Sequence, residues 1–350
     1  MSNTTDKEIE KYLLKKIQQH PHDIVRRAME HFSVTRTTIL RHLRYLIQSG
    51  AVIKTGQRKQ TAYVLAESMK KKWVFPLDKP FDEMRIWSEY CEPAILKSTN
   101  SLAKMIFEYV GTELLNNAKD HSLGTRVIVE CSQDAKYIDM FIKDNGIGIF
   151  HNIEQAMGFD DIRDAIFELS KGKLTTDPAH HTGEGIFFSS RGVDLFEIYA
   201  NNYLYQCDNV ENDWIFLQTK TAKGTAIHLR LQRNTQRNLV DVFKKYQKDD
   251  EFDFVKTDIH LSLAQQFSDR LISRSQAKRV IRSLEAFEVI TLDFKGVHAV
   301  GQGFVDEIFR VYQSKRPDIK LIYINAEKDV EYMLQRGIAI AVRHRASQKH

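Results

Sequence analysis

Residues 101–122 read SLAKMIFEYVGTELLNNAKDHS, and residues 144–148 read DNGIG. In the first stretch the apolar residues recur at helical spacing, and Glu113, Asn117 and Asp120 share one face of the helix. An asparagine carbonyl is a hard oxygen ligand suited to Mg²⁺, which takes its other ligands from water and phosphate; a glutamate one turn away can orient or deprotonate a water. The second stretch closes an alternating strand, YIDMFIKD. A carboxylate there, Asp144, can accept a hydrogen bond from the exocyclic amine of adenine, while Gly146 and Gly148 let the backbone approach a ring closely.

Two more segments follow in order. HTGEG, residues 181–185, precedes the helical run IFFSSRGVDLF, so Gly183 and Gly185 can turn backbone amides toward phosphates. Gly224 and Thr225 open the strand AIHLRL, and the Thr225 hydroxyl can complete the adenine contacts. Taken singly these are a turn, a hairpin and a solvated helix face. In this order they resemble the N box and the three glycine boxes of the GHKL ATPases, over about residues 98–232.

The resemblance implies an α/β sandwich over residues 98–237 that binds ATP and Mg²⁺. Asn117 would ligate the metal and Asp144 would read adenine. Gly146, Gly148, Gly183 and Gly185 would shape the pocket, with Asp120 and Thr225 beside them, and Glu113 would be the catalytic base if ATP is hydrolysed. Residues from about Phe150 to His181 would form a lid over the phosphates. One position departs from the pattern: Phe187 stands where a further glycine would be. The segment FDEMRIWSEYCEPAIL contains no histidine, which disfavours a two-component phosphoacceptor.

Composition sets the frame for this block. With 350 residues, 42% of them hydrophobic and 28% charged, the chain is long enough for two or three domains with their own cores. No apolar run reaches the length of a membrane span and the N-terminal residues carry no secretory pattern, so the expected location is cytoplasmic, with no membrane partner. Three dispersed cysteines read as small buried hydrophobes. The net charge is +5, yet residues 1–72 hold 15 Lys/Arg against 6 Asp/Glu, a local +9 that leaves −4 for the remainder. That asymmetry points the front block toward a polyanion.

The front block, residues 1–66, reads as three amphipathic helices and a hairpin made of AVIKTG and TAYVLA. In the third helix Ile39, Leu40, Leu43, Leu46 and Ile47 form the inner stripe, and Arg36, Thr37, Arg41 and Arg44 lie outside. The pattern resembles a winged helix-turn-helix. It implies that duplex DNA is the partner, with Arg36, Thr37 and Arg41 facing bases and Arg44, Arg58 and Lys59 facing the backbone. Residues 67–97, beginning with KKKWVFPLDKP, read as linker and helix. The charged stretch KKYQKDDEFDF reads as a solvent-exposed boundary.

Residues 250–343 alternate strand and helix three times and resemble a small STAS-like α/β domain. Such domains dock other proteins, and some accept phosphate on a hydroxyl in the loop after the central strand. Here that loop, residues 296–303, reads GVHAVGQG and has no hydroxyl. The expected fold is therefore multidomain α+β: winged helix, GHKL sandwich, STAS-like domain. The leading expectation is a transcriptional regulator in which ATP binding or slow hydrolysis controls domain arrangement, with a homodimer left open. The alternatives are a serine kinase resembling the anti-sigma factors, acting on a separate STAS antagonist, and a GHKL ATPase of a defence or DNA-transaction complex.

Overall fold

The computed structural model describes residues 2–48, 51–56, 60–65, 69–95, 99–134, 136–175, 182–248, 252–267 and 270–347. The front unit is built from helices Ser2–Lys16, Ile24–Phe32 and Arg36–Gln48 and the antiparallel strands β1 (Val52–Thr55) and β2 (Ala62–Leu65). Its turns follow from local chemistry: Ser33 takes a left-handed φ of 51° to end the second helix, and the Thr35 hydroxyl accepts the Thr38 amide at 3.3 Å to start the third. Ile9, Leu13, Ile24, Ile39, Leu43 and Val52 are among the residues of a core that is separate from the rest of the molecule.

The central unit is a seven-stranded antiparallel sheet in the order β3-β4-β5-β9-β6-β7-β8. The strands are β3 (Met69–Pro76), β4 (Arg126–Gln133), β5 (Tyr137–Asp144), β6 (Leu195–Ala200), β7 (Tyr203–Asp208), β8 (Asp213–Gln218) and β9 (Thr225–Gln232). Alternate residues such as Val129, Met140, Ile198 and Leu229 are buried beneath a long helix, Ser101–His121, and its neighbours. β3 corrects the expectation of a linker. Trp73 lies opposite Val129 in the ladder and Trp73 and Phe75 pack inward, while lysines line this outermost strand, where charge discourages further pairing.

The C-terminal unit has a parallel sheet ordered β10-β11-β12, made of Lys256–His260, Val289–Asp293 and Lys320–Ile324. Helical connections at Arg274–Ile281 and from Gln302 to Lys315 cross between the strands, and Lys328–Ser347 follows the last. Short apolar runs bounded by helices are what a sheet covered on its faces requires. All three cysteines are buried. Among the described residues no helix is long and apolar enough to cross a membrane.

The central and C-terminal units share one continuous core. The stretch expected to lie in solvent supplies part of it: Tyr246 is 4% exposed and Phe254 2%. Their rings meet Phe187 at 4.9 and 4.7 Å, and Phe254 also meets Phe287 at 5.4 Å. Charge counting misread this segment because the aromatic residues, not the lysines and aspartates around them, determine its burial.

Removing Phe254 tests this arrangement. Phe254→Ala is expected to destabilise the merged central and C-terminal core by about 3–5 kcal/mol and to leave the front unit's transition in place. Differential scanning calorimetry reads both. Equal shifts of all transitions would mean that the two cores unfold as one.

Candidate functional site

The long helix, the end of β5, the start of β9 and the loop before the helix Gly185–Gly192 converge on one cleft, which holds about 940 Å³ of space including its open mouth. Glu113, Asn117 and His121 line one wall and Asp144, Thr225 and Ile227 the floor. Leu169, Leu174, Gly183 and Gly185 close the far side. Segments more than a hundred residues apart are thus brought together at one cleft.

Asp144 is the organising group. Its Oδ1 accepts the amides of Gly146 at 2.8 Å and Thr225 at 3.1 Å, tying the turn after β5 to the first residue of β9. The Thr225 hydroxyl in turn accepts the Ile149 amide at 3.0 Å, at the head of the helix Ile149–Met157. Burial pushes the Asp144 carboxyl above its ordinary value of 3.8, against the pull of these donors. Gly146 is required at this turn because a Cβ there would collide with the Ser122 carbonyl oxygen. Gly148 begins the helix Ile149–Met157 and is buried.

Gly185 sits over the helix wall, where a Cβ would strike the Glu113 carboxylate. This close approach places the start of the Gly185–Gly192 helix beside Glu113 and within reach of Asn117. The Asn117 Nδ2 is buried and has no hydrogen-bond partner, so its amide is free to meet a ligand in the cleft; a half-turn of the amide would present Oδ1 instead. Burial, with the Asp253 and Glu113 carboxylates nearby and Lys173 opposing, holds Glu184 above its ordinary value. This end of the cleft is therefore rich in carboxylates.

Asp120 departs from expectation. It shares the helical face of Glu113 and Asn117, yet it is exposed and is not part of the cleft lining; His121 and Ser122 occupy that level. Helical periodicity places a residue on a face but does not tell where along the axis the cavity ends. Two residues that sequence reading passed over also shape the site. Asn152, itself in the cleft lining, donates to the His121 carbonyl at 3.0 Å at the end of the long helix, and Asn201 donates to the Ile147 carbonyl at 2.9 Å in the glycine turn. Lone asparagines carry no pattern by which to find them.

Between residues 149 and 175 the chain forms the helices Ile149–Met157 and Ile162–Lys171 across the cleft. Every residue from Asp164 to Lys171 is buried, because the outer side of the second helix packs on the C-terminal unit. Lys171 pairs with Glu168 at 2.7 Å and donates to the carbonyls of Arg279 and Arg282 at 3.1 and 2.9 Å. Asp164 pairs with Arg279 at 2.7 Å, and the Thr257 hydroxyl donates to the Lys171 carbonyl at 2.6 Å. Phe187, at the place of the extra glycine in the pattern, is 1% exposed and fills the aromatic seam instead.

On the front unit, Arg36, Thr37, Arg41 and Arg44 are exposed on the Arg36–Gln48 helix, and Arg41 donates to Asp6 at 3.3 Å. His42, which the pattern left unassigned, is buried and bonds Glu10 at 3.2 Å. Arg58 and Lys59 lie outside the described residues.

Residues 276–331 match the model of a family described as a STAS-like domain of unknown function, DUF4325. The match runs from the Arg274–Ile281 helix through β11 and β12 to the start of the last helix. No curated protein matches the chain.

The raised Asp144 fixes the sign of a pH effect. Between 3.8 and its higher folded-state value the folded chain binds more protons than the unfolded one, so this group's contribution to stability falls as pH rises through that window and stays reduced above it. Asp144→Asn keeps an acceptor for the two amides and is expected to remain folded, with a flatter stability curve above pH 3.8. Urea denaturation across pH measures it. A parent curve no steeper than the variant's would remove the carboxylate as the cause.

Proposed function

We propose that the chain is a nucleotide-controlled DNA-binding regulator: the central cleft binds ATP with Mg²⁺ in the manner of the GHKL ATPases, and the front unit binds duplex DNA as a winged helix-turn-helix. The observation that carries the reading is the convergence of Glu113, Asn117, Asp144, Gly185 and Thr225 on one cleft, with the Asn117 Nδ2 buried and unpartnered there. Asp144, held by the amides of Gly146 and Thr225, accepts from the exocyclic amine of adenine. The Gly185 backbone, kept close to Glu113 by the lack of a side chain, faces the phosphates at the start of its helix.

Among the described residues no three His, Cys, Asp or Glu side chains gather to hold a metal by themselves. Asn117 Oδ1 would then be the protein's ligand to the ion, with phosphate oxygens and water as the others. Bound Mg²⁺ would neutralise phosphate charge beside the cleft's carboxylates. Glu113 is placed to orient or deprotonate a water if hydrolysis occurs.

Control of domain arrangement follows from the segment 149–175. Its inner residues Leu169 and Leu174 line the cleft, while Lys171, between them, caps carbonyls of the C-terminal unit. A ligand that favours one position of this lid by differential affinity therefore biases the packing of the C-terminal unit. The same unit, matched in part by the STAS-like family, is the surface proposed for a protein partner.

For the nucleotide, Asn117→Ala is expected to abolish Mg²⁺-dependent ATP affinity and Asp144→Asn to weaken adenine recognition, both read by calorimetry. Glu113→Ala is expected to keep binding but to lower any phosphate release by about 10²- to 10⁴-fold. Parent-like ATP binding by both binding variants would refute the cleft assignment. With γ-labelled ATP and candidate partner proteins, transfer of label to protein would favour the kinase alternative.

For DNA, affinity for duplexes is expected to fall with salt, each phosphate contact contributing roughly −0.9 to the log–log slope. Neutralising Arg44, Arg58 and Lys59 should flatten that slope, whereas Arg36→Ala, Thr37→Ala and Arg41→Ala should relax sequence preference. Fluorescence anisotropy at several salt concentrations separates the two effects. No affinity at low salt, with or without ATP, would leave the front unit a protein-docking module.

A further inference from the structure

A second cavity lies between the central and C-terminal units and is distinct from the nucleotide cleft. It measures about 240 Å³, or about 700 Å³ with its open mouth included. One wall is formed by His260, Asp293 and Ile324, the last residues of β10, β11 and β12, which lie side by side in register. The carboxyl ends of parallel strands are where open α/β sheets place ligands, because the flanking connections diverge there and leave a crevice.

The facing wall comes from the central unit and is basic: Arg191, Arg237 and Lys245 line it, with Trp214 between. Arg191 is 4% exposed; its hydrogen bonds go to neutral groups, among them the Ser190 hydroxyl at 2.8 Å, the Ser170 carbonyl at 3.4 Å and the Cys207 sulfur at 3.8 Å, while the Phe187 ring lies 4.4 Å away and Asp258, which pairs with Lys245, is the carboxylate near enough to favour its charge. Its Nε has no partner, and neither does the buried Nε of Arg237. A buried guanidinium without a carboxylate is a costly arrangement unless an anion or equivalent acceptors answer it.

The other charges around the cavity are accounted for. Lys245 pairs with Asp258 at 2.7 Å and Arg237 with Asp194 at 3.4 Å. Asp293 accepts the Lys295 amide and the Asn325 side chain, each at 2.9 Å, and lies 3.3 Å from His260. His260 stacks on Trp214, their ring centres 3.6 Å apart, and burial holds it below its ordinary value of 6.5, hence neutral at neutral pH. The acidic groups are thus already engaged, and among the described residues lining the cavity the Nε atoms of Arg191 and Arg237 and the indole Nε1 of Trp214 are buried donors without a partner.

We propose that this cavity is a binding site for a small molecule carrying an oxyanion, phosphate or carboxylate, received by Arg191 and Arg237 and flanked by the Trp214 ring. The helix Gly185–Gly192 begins in the nucleotide cleft and carries Arg191 in its last turn, so one element of eight residues joins the two sites. The proposal stands without the ATP reading; were both correct, anion and nucleotide would alter each other's affinity.

The test uses the full chain, with inorganic phosphate and succinate as separate titrants and tryptophan fluorescence as the readout. At least one titrant is expected to give a saturable signal that disappears in Trp214→Phe and survives in Asn117→Ala. Arg237→Gln, at a less buried position, and Arg191→Lys, which keeps the charge but loses the fork, should each weaken binding by more than about tenfold; circular dichroism verifies folding, and Arg237→Gln alone decides if Arg191→Lys does not fold. The proposal is overturned by the lack of a saturable signal with either titrant, by unchanged binding in folded Arg237→Gln, or by a signal lost in Asn117→Ala, which would assign the anion to the nucleotide cleft. Failure of ATP binding with these anion results intact would sink only the nucleotide reading.

Discussion

The contact of Phe187 with Tyr246 and Phe254 is the constraint on which the rest of the arrangement depends. It inserts the first turns of the Gly185–Gly192 helix into an aromatic seam, so the end of that helix that faces the cleft and the end that carries Arg191 are held by the same packing. Gly172 lets the chain after the helix Ile162–Lys171 pass over the seam, since a Cβ there would meet the rings of Phe187 and Phe254 at 2.8 Å. A glycine in place of Phe187 would leave the central and C-terminal units with much less apolar area in common.

Within the cleft the governing interactions are backbone ones. A single carboxylate oxygen of Asp144 gathers two amides from segments far apart in the chain, and the Thr225 hydroxyl extends the same tie to the next helix. Because these bonds are satisfied internally, the floor of the cleft is preorganised. The buried donor without a partner there belongs to Asn117, on the wall. That contrast sets a floor whose polar groups are satisfied against a wall that keeps a donor in reserve.

Much of this was legible in the chain itself. The period of residues 101–122, the alternation of YIDMFIKD and the order of the glycine segments located the helix, the strand and the turns that meet at the cleft. Reading failed where composition and burial disagree. KKKWVFPLDKP became an edge strand because its lysines face outward around Trp73 and Phe75, and KKYQKDDEFDF entered the core through Tyr246 and Phe254. Asp120 shares a helical face with Glu113 but not the cavity, and His42 is buried because Asp6 and Glu10, on another helix, reach it at 3.2 Å.

The sequence by itself determined most of the secondary elements, the positions that need glycine and the polar side chains that share the cleft, because these follow from local sterics and from the period of each element. Only the tertiary structure decided that the helix Ile162–Lys171 is tied to the C-terminal unit through Lys171, and that Arg191 and Arg237 face three strand ends across a second cavity. Those contacts join residues whose spacing along the chain obeys no period. Their partners are chosen by burial, which removes water as the competing hydrogen-bond partner and makes each buried charge find its answer wherever the fold brings one.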